Sequence, residues 1–276
     1  MCIEQNIPYH GINKGKSVDN QRIFVIYCMC WGEKTPLFYC DSRGILCLTR
    51  YSMSKIIEYI KKNKFCLLLL YWPVHFLWYE VLRIAYSDVA VLNIYSPLDD
   101  KIPFCEWFVL PYVFWYGYIA LVLFYSLYRG KREFLRADLL LTGCMLLPMI
   151  FCTLVPNGID IAMRPDFEAL GRDNFAIDLV KSIYEADSPP RNVMPSMHVS
   201  VSWALMFAVL QSESLKNKRL LKLGAVVMSI LISLATVFIK QHSILDVFVG
   251  IAVAVLVFVI VMLAEKQYDK KKTLNH

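Results

Sequence analysis

Six stretches of this chain stay apolar over lengths close to the roughly 20 residues that a helix needs to cross a hydrocarbon core of about 30 Å, and no other feature constrains the fold as strongly. They lie at about 65–86, 103–128, 137–155, 195–211, 220–239 and 243–264. Composition agrees: 57% of the residues are hydrophobic and 19% charged, and the mean hydropathy of +0.47 is too high for an ordinary soluble domain. The sequence therefore predicts an all-α, polytopic membrane protein with six transmembrane helices, whose partners are membrane lipids.

The net charge of +6 does not predict a nucleic-acid partner, because the basic residues form short blocks between apolar runs instead of lining one face. They orient the spans by the positive-inside bias. Lys55, Lys61, Lys62 and Lys64 precede the first span; Arg129, Lys131, Arg132 and Arg136 join the second to the third. Lys216, Lys218, Arg219 and Lys222 join the fourth to the fifth, and Lys266, Lys270, Lys271 and Lys272 follow the sixth. The segment from Ser87 to Ile102 carries Asp88, Asp99 and Asp100 against Lys101. It is expected outside, together with the long connection from Asn157 to Met194, which leaves both termini cytoplasmic and predicts a cell-membrane protein.

Residues 1–52 fit this pattern poorly. The apolar run Ile23–Trp31 is too short to span and lacks helical periodicity, and the segment has no secretory-signal layout. Met53-Ser54-Lys55, followed by basic residues and the first span, reads as a natural beginning, so residues 1–52 are expected to be an N-terminal extension to a membrane domain over residues 53–276. Five of the nine cysteines fall in that extension without a zinc-type pairing. Cys66, Cys105, Cys144 and Cys152 lie in or beside apolar stretches and read as small hydrophobes. No metal or cofactor is predicted.

Polar groups at membrane depth are expensive, so those near helix ends are functional candidates. His242 and Asp246 are four residues apart, and a carboxylate at that spacing can hold one imidazole nitrogen as N–H while the other attacks or takes a proton. Alone, such a pair also fits a purely structural role. Pro195 and Ser196 open the fourth span, where free N–H groups and the helix dipole suit an anion, with His198 close by. Arg164 supplies a planar fork for phosphate oxygens, and Lys240 or Arg191 a second positive charge. Lys240 can join only if a turn falls near 237–241. His75 and the Glu80/Arg83 pair in the first span, and the aromatic residues from Trp107 to Tyr118, fit packing and interfacial anchoring.

Taken in order, Arg164-Pro165, Pro195-Ser196-x-His198 and His242-x-x-x-Asp246 resemble the type-2 phosphatidic acid phosphatase superfamily, over roughly Lys101 to Leu263. The segment around HSILDVFVG is also similar to the sphingomyelin synthase and inositol phosphorylceramide synthase branch. The resemblance implies that His242 attacks phosphorus, Asp246 orients it, His198 protonates the leaving alcohol, and Arg164 and Ser196 bind the phosphate. It implies a metal-independent lipid phosphatase working through a phosphohistidine, its site on the non-cytoplasmic face; a lipid phosphotransferase and a non-catalytic lipid-binding or lipid-moving protein are the alternatives. Two positions depart from the family pattern: Asn157 stands where a lysine is usual and Thr236 where an arginine is usual.

Overall fold

The computed structural model describes residues 2–7, 23–30, 33–40, 46–47, 61–62 and 64–274; the expected start at Met53 lies outside them. Contacts divide the chain into two units, Met1–Leu67 and Leu68–His276. In the first, strands β1 (Cys2–Ile7), β2 (Ile23–Cys30), β3 (Glu33–Cys40) and β4 (Leu46–Cys47) form one antiparallel sheet in that order. The run Ile23-Phe24-Val25-Ile26-Tyr27 is rich in β-branched and aromatic residues, which suits a pleated strand. The β2–β3 register shifts where Tyr27 faces Pro36, a residue with no N–H to give to a ladder. The chain is mostly helical, and this sheet is an addition to the all-α expectation.

A 3₁₀ segment, Lys64–Leu70, leads into α1 (Tyr71–Ala85). There follow the two-residue strand β5 (Leu92–Asn93), α2 (Val109–Arg129), α3 (Lys131–Leu154), the two-residue strand β6 (Asn157–Gly158) and α4 (Phe175–Ala186). The chain ends in α5 (Met197–Leu210), α6 (Arg219–Phe238) and α7 (Ile244–Leu274). Among the described residues, four segments are long and apolar enough to cross a membrane: Glu106–Arg129, Lys131–Leu154, Arg219–Phe238 and Ile244–Leu274. The protein is an integral membrane protein. The two other predicted spans correspond to α1, of 15 residues, and α5, of 14.

Helix α7 shows how the sequence sorts lipid from core. Leu245, Phe248, Val255, Leu256, Val259, Ile260 and Leu263 are exposed, while Gly250, Ala254, Val257 and Val261 are buried. Both sets are apolar and recur at helical spacing, so the outer set faces a solvent as apolar as the core. Between α2 and α3 the turn depends on Gly130, whose φ of 120° is a conformation L side chains rarely adopt.

Short α5 packs against α2, α3, α6 and α7 and carries the candidate site at its start. Pro148 sits inside α3 and so deprives the carbonyl of Cys144, four residues earlier, of its helical partner. The Ser200 hydroxyl of α5 donates to that carbonyl at 3.0 Å, which satisfies the freed group and ties the two helices together. Two glycines allow close helix approach: a Cβ on Gly143 would lie 2.7 Å from Val257 Cγ1, and one on Gly250 3.0 Å from both the Ser196 carbonyl and Val199 Cβ.

Polar contacts gather at two ends of the bundle. At one, Arg136 donates to Glu265 at 2.8 Å and to the Gln211 carbonyl at 2.7 Å, and Ser212 donates to Glu133 at 2.7 Å. This joins the connections that sequence reads as basic. At the other, β5 pairs in parallel with β6, and Asp99 accepts from Ser243 Oγ at 2.6 Å and from the Ile244 amide at 2.8 Å. The 87–102 and 157–194 connections therefore meet the α6–α7 junction at one end. The Glu80–Arg83 ion pair is exposed on α1, and buried His75 lies 3.3 Å from the Tyr71 hydroxyl, both local helical contacts.

Candidate active site

The α6–α7 junction is a tight turn. The Thr236 carbonyl accepts from the amides of Gln241 and His242 at 3.0 and 3.1 Å, and Lys240 adopts a φ of 53°. His242 is thus held just before α7 and not on it. Its Nδ1 still lies 3.2 Å from Asp246 Oδ2, which also accepts from the Ser243 amide at 3.0 Å. Asp246 is fully buried in the first turn of α7, where the helix N-terminus favours negative charge. A carboxylate on Nδ1 fixes the proton there and leaves Nε2 with its lone pair. Asp99, which sequence reads only as a loop charge, caps the same helix start, and no motif signals its position.

His198 occupies the second position of α5, and its ring lies 6.1 Å from that of His242, centroid to centroid. It stacks on Tyr112 at 4.2 Å and lies 4.4 Å from Trp115. The aromatic crowding of α2 is packing, as sequence suggests, but what it packs is a candidate site residue. His198 Nε2 is buried without a partner among the described residues. Pro195 precedes the helix instead of starting it: Ser196 is the N-cap, its Oγ accepting from the Val199 amide at 3.4 Å and its proton left to donate.

Arg164 follows a 3₁₀ turn at Ile161–Met163 and lies over the Tyr184 ring at 4.2 Å, a cation–π contact. Its Nη1 donates to the Tyr184 carbonyl at 3.3 Å; its Nη2 donates to the Asp187 carbonyl and carboxylate at 3.1 and 3.2 Å and to Gln241 Oε1 at 3.3 Å. Arg164 Nε is buried and has no partner among the described residues. Burial pushes the Asp187 carboxyl up to about 6, with Arg164 and then His242 pulling the other way. Sequence reasoning missed both Asp187 and Gln241, which no motif marks.

The two departures from the family pattern have structural roles. Asn157 is fully buried: its Oδ1 accepts from the amides of Val193 and Met194 at 3.0 and 2.8 Å, and its Nδ2 donates to the carbonyls of Val155 and Met194 at 2.9 and 3.0 Å. It fastens the segment entering Ser196. Thr236 is also fully buried, its hydroxyl donating to the Ser233 carbonyl at 2.8 Å. Neither expected replacement cation is drawn to the histidines. The turn required for Lys240 exists, but its ammonium donates to the carbonyls of Asp99 and Ile102 at 2.6 and 2.5 Å; burial lowers its pKa against the attraction of Asp99 and Asp100. Arg191 Nε donates to the Tyr86 carbonyl at 3.2 Å.

The geometry thus links Arg164 to Gln241, Gln241 to His242 through the chain, and His242 to Asp246 and His198. Residues 137–269 match the PAP2 superfamily. The matched stretch begins in α3 and contains every one of these residues, so the resemblance read from three short motifs is supported across the helices that carry them. The PAP2 match supports a phosphatase-type function. No curated protein and no solved structure matches the chain.

Proposed function

We propose that this protein is a membrane lipid phosphatase that hydrolyses a lipid phosphate ester, without a metal, through a phosphohistidine on His242. One observation carries the reading: a histidine held through Nδ1 by a buried carboxylate, its ring centroid 6.1 Å from that of a second histidine whose Nε2 is buried without a partner among the described residues. Nε2 of His242 forms the P–N bond as the P–O bond to the lipid breaks, and His198 gives its proton to the departing alkoxide. Water, deprotonated by His198, then displaces the imidazole and releases phosphate. Arg164, Ser196 and the α5 amides hold the charge on the non-bridging oxygens. An alcohol reaching the same intermediate would make the reaction a transfer.

A groove of about 490 Å³ between α2 and α6 is lined among others by Trp107, Phe108, Pro111, Phe114 and Met228. Pro111 adjoins Tyr112, the residue that stacks on His198. The apolar lining suits an acyl chain and supports a lipid substrate. We place the site at the non-cytoplasmic end of six spans, because the opposite end gathers the basic connections, and take residues 53–276 as the membrane domain. A thiol label placed between 166 and 190 should react from outside intact cells and one between 131 and 135 should not; the reverse pattern would overturn the orientation. Phosphate release from lipid phosphates by purified protein, tested with chelator and with alcohol acceptors, decides hydrolysis, transfer or neither.

A further inference from the structure

Gln241 is only 2% exposed, and the assigned chemistry makes no use of it. Its backbone is fixed by the amide hydrogen bond to Thr236, and its Oε1 is occupied by Arg164 Nη2 at 3.3 Å. With the oxygen so placed, the amide's donor end is set as well. Gln241 Nε2 and Arg164 Nε, on two side chains in direct contact, are both buried without a partner among the described residues. Buried donors are almost always satisfied, so this pair marks the seat of an acceptor.

The acceptor's charge follows from what the surrounding cations do. Lys240 and Arg191 are committed to backbone carbonyls, the family's two other cation positions are Asn157 and Thr236, and Arg164 is partly offset by Asp187. Lys240 and Arg191 keep their charge but direct it to the backbone, so an oxyanion beside Arg164 meets chiefly directed N–H donors. We infer that Gln241 is a phosphate-binding residue whose Nε2–H donates to a non-bridging phosphoryl oxygen beside Arg164 Nε, a neutral amide serving where the family pattern has cations. The inference rests on the phosphoryl-transfer reading of the site.

The rival role is purely supportive, with Oε1 steering Arg164 and Nε2 idle. Gln241→Glu separates the two, since it keeps the acceptor for Arg164 and loses the donor; Gln241→Met loses both. The full chain is purified in detergent, its turnover of a lipid phosphate measured, and inorganic phosphate used as the probe through its inhibition constant. A donor to a charged oxygen predicts phosphate affinity lower by about 10- to 100-fold in both variants at neutral pH, with KM rising alongside and the melting temperature held. At acid pH the carboxyl introduced by Gln241→Glu takes up a proton and becomes a donor, so the affinity of that variant relative to wild type recovers while that of Gln241→Met does not. Wild-type phosphate affinity in Gln241→Glu, or the absence of that acid recovery, would overturn the assignment while leaving the phosphatase reading intact. Wild-type protein that neither turns over phosphate esters nor binds phosphate would overturn both.

Discussion

Restoring the family's usual lysine at position 157 should damage this protein instead of improving it. Asn157 is fully buried and makes four hydrogen bonds to backbone groups of Val155, Val193 and Met194. Asn157→Ala leaves two amides and two carbonyls without those partners. At about 1–3 kcal/mol for each buried group left unsatisfied, and with entering water recovering part of that, the loss is about 3–5 kcal/mol. Asn157→Lys forfeits the same bonds and also buries an unpaired ammonium, so it should be worse by several kcal/mol more. In thermal melting of purified protein the alanine variant should fall on the order of 10 °C. Because the fastened segment leads directly into Ser196 and His198, residual activity should fall with it. A lysine variant that melts like wild type and turns over faster would refute this account and return position 157 to the phosphate clamp.

Ser200→Ala should cost about 1–2 kcal/mol, since it strands the Cys144 carbonyl that Pro148 leaves free. In a Pro148→Ala background, where an amide can reach that carbonyl, the cost of Ser200→Ala should shrink, and an unchanged cost in the double-mutant cycle would dismiss the coupling. Asp187 gives a pH signature: burial raises its carboxyl from 3.8 to about 6, so the folded state holds an extra proton between those values. Stability attributable to this group therefore falls as pH rises from about 4 to 6, and above that window the full penalty remains. Asp187→Asn should flatten that slope in melting curves taken across the window and raise the melting temperature at pH 7; an unaltered slope would show that the group is not the source.

Four of the six predicted spans were legible as long apolar helices among the described residues, because a lipid-facing surface demands no register: apolar residues all round a segment of about 20 mark it whatever its neighbours are. The site was legible in part, where chemistry fixes spacing. His242 and Asp246 meet as a four-residue interval allows, and Ser196 caps the helix that carries His198. Long-range polar partners left no such trace. Asp99 reaches Ser243 and Ile244 across 144 and 145 positions, and Arg164 reaches Gln241 across 77, distances at which no periodicity operates. The same gap explains Lys240: its sequence position was compatible with the site, but its ammonium is drawn to two carbonyls of the 99–102 turn. The sheet of residues 2–47 was missed because no Asn-Gly or Gly-Gly pair stands in the sequence between its strands to signal a hairpin.

The division of labour between the two histidines is the centre of the proposed mechanism, and leaving-group dependence reads it most directly. An acidic phenol departs without a proton, whereas a lipid alkoxide does not, so a general acid matters only for the second. Initial rates are measured for wild type, His198→Ala and His242→Ala on a lipid phosphate and on nitrophenyl phosphate, and the phosphorylated enzyme is trapped under alkaline conditions. His198→Ala should lose about 10²- to 10⁴-fold on the lipid substrate, whereas on the nitrophenyl ester it should still release nitrophenol in an initial burst and accumulate trapped phosphohistidine, since only the later, base-assisted attack of water is slowed. His242→Ala should lose both activities and the trapped species. If His242→Ala still turned over the nitrophenyl ester, or a phosphohistidine formed without it, the nucleophile would lie elsewhere and the account would be wrong.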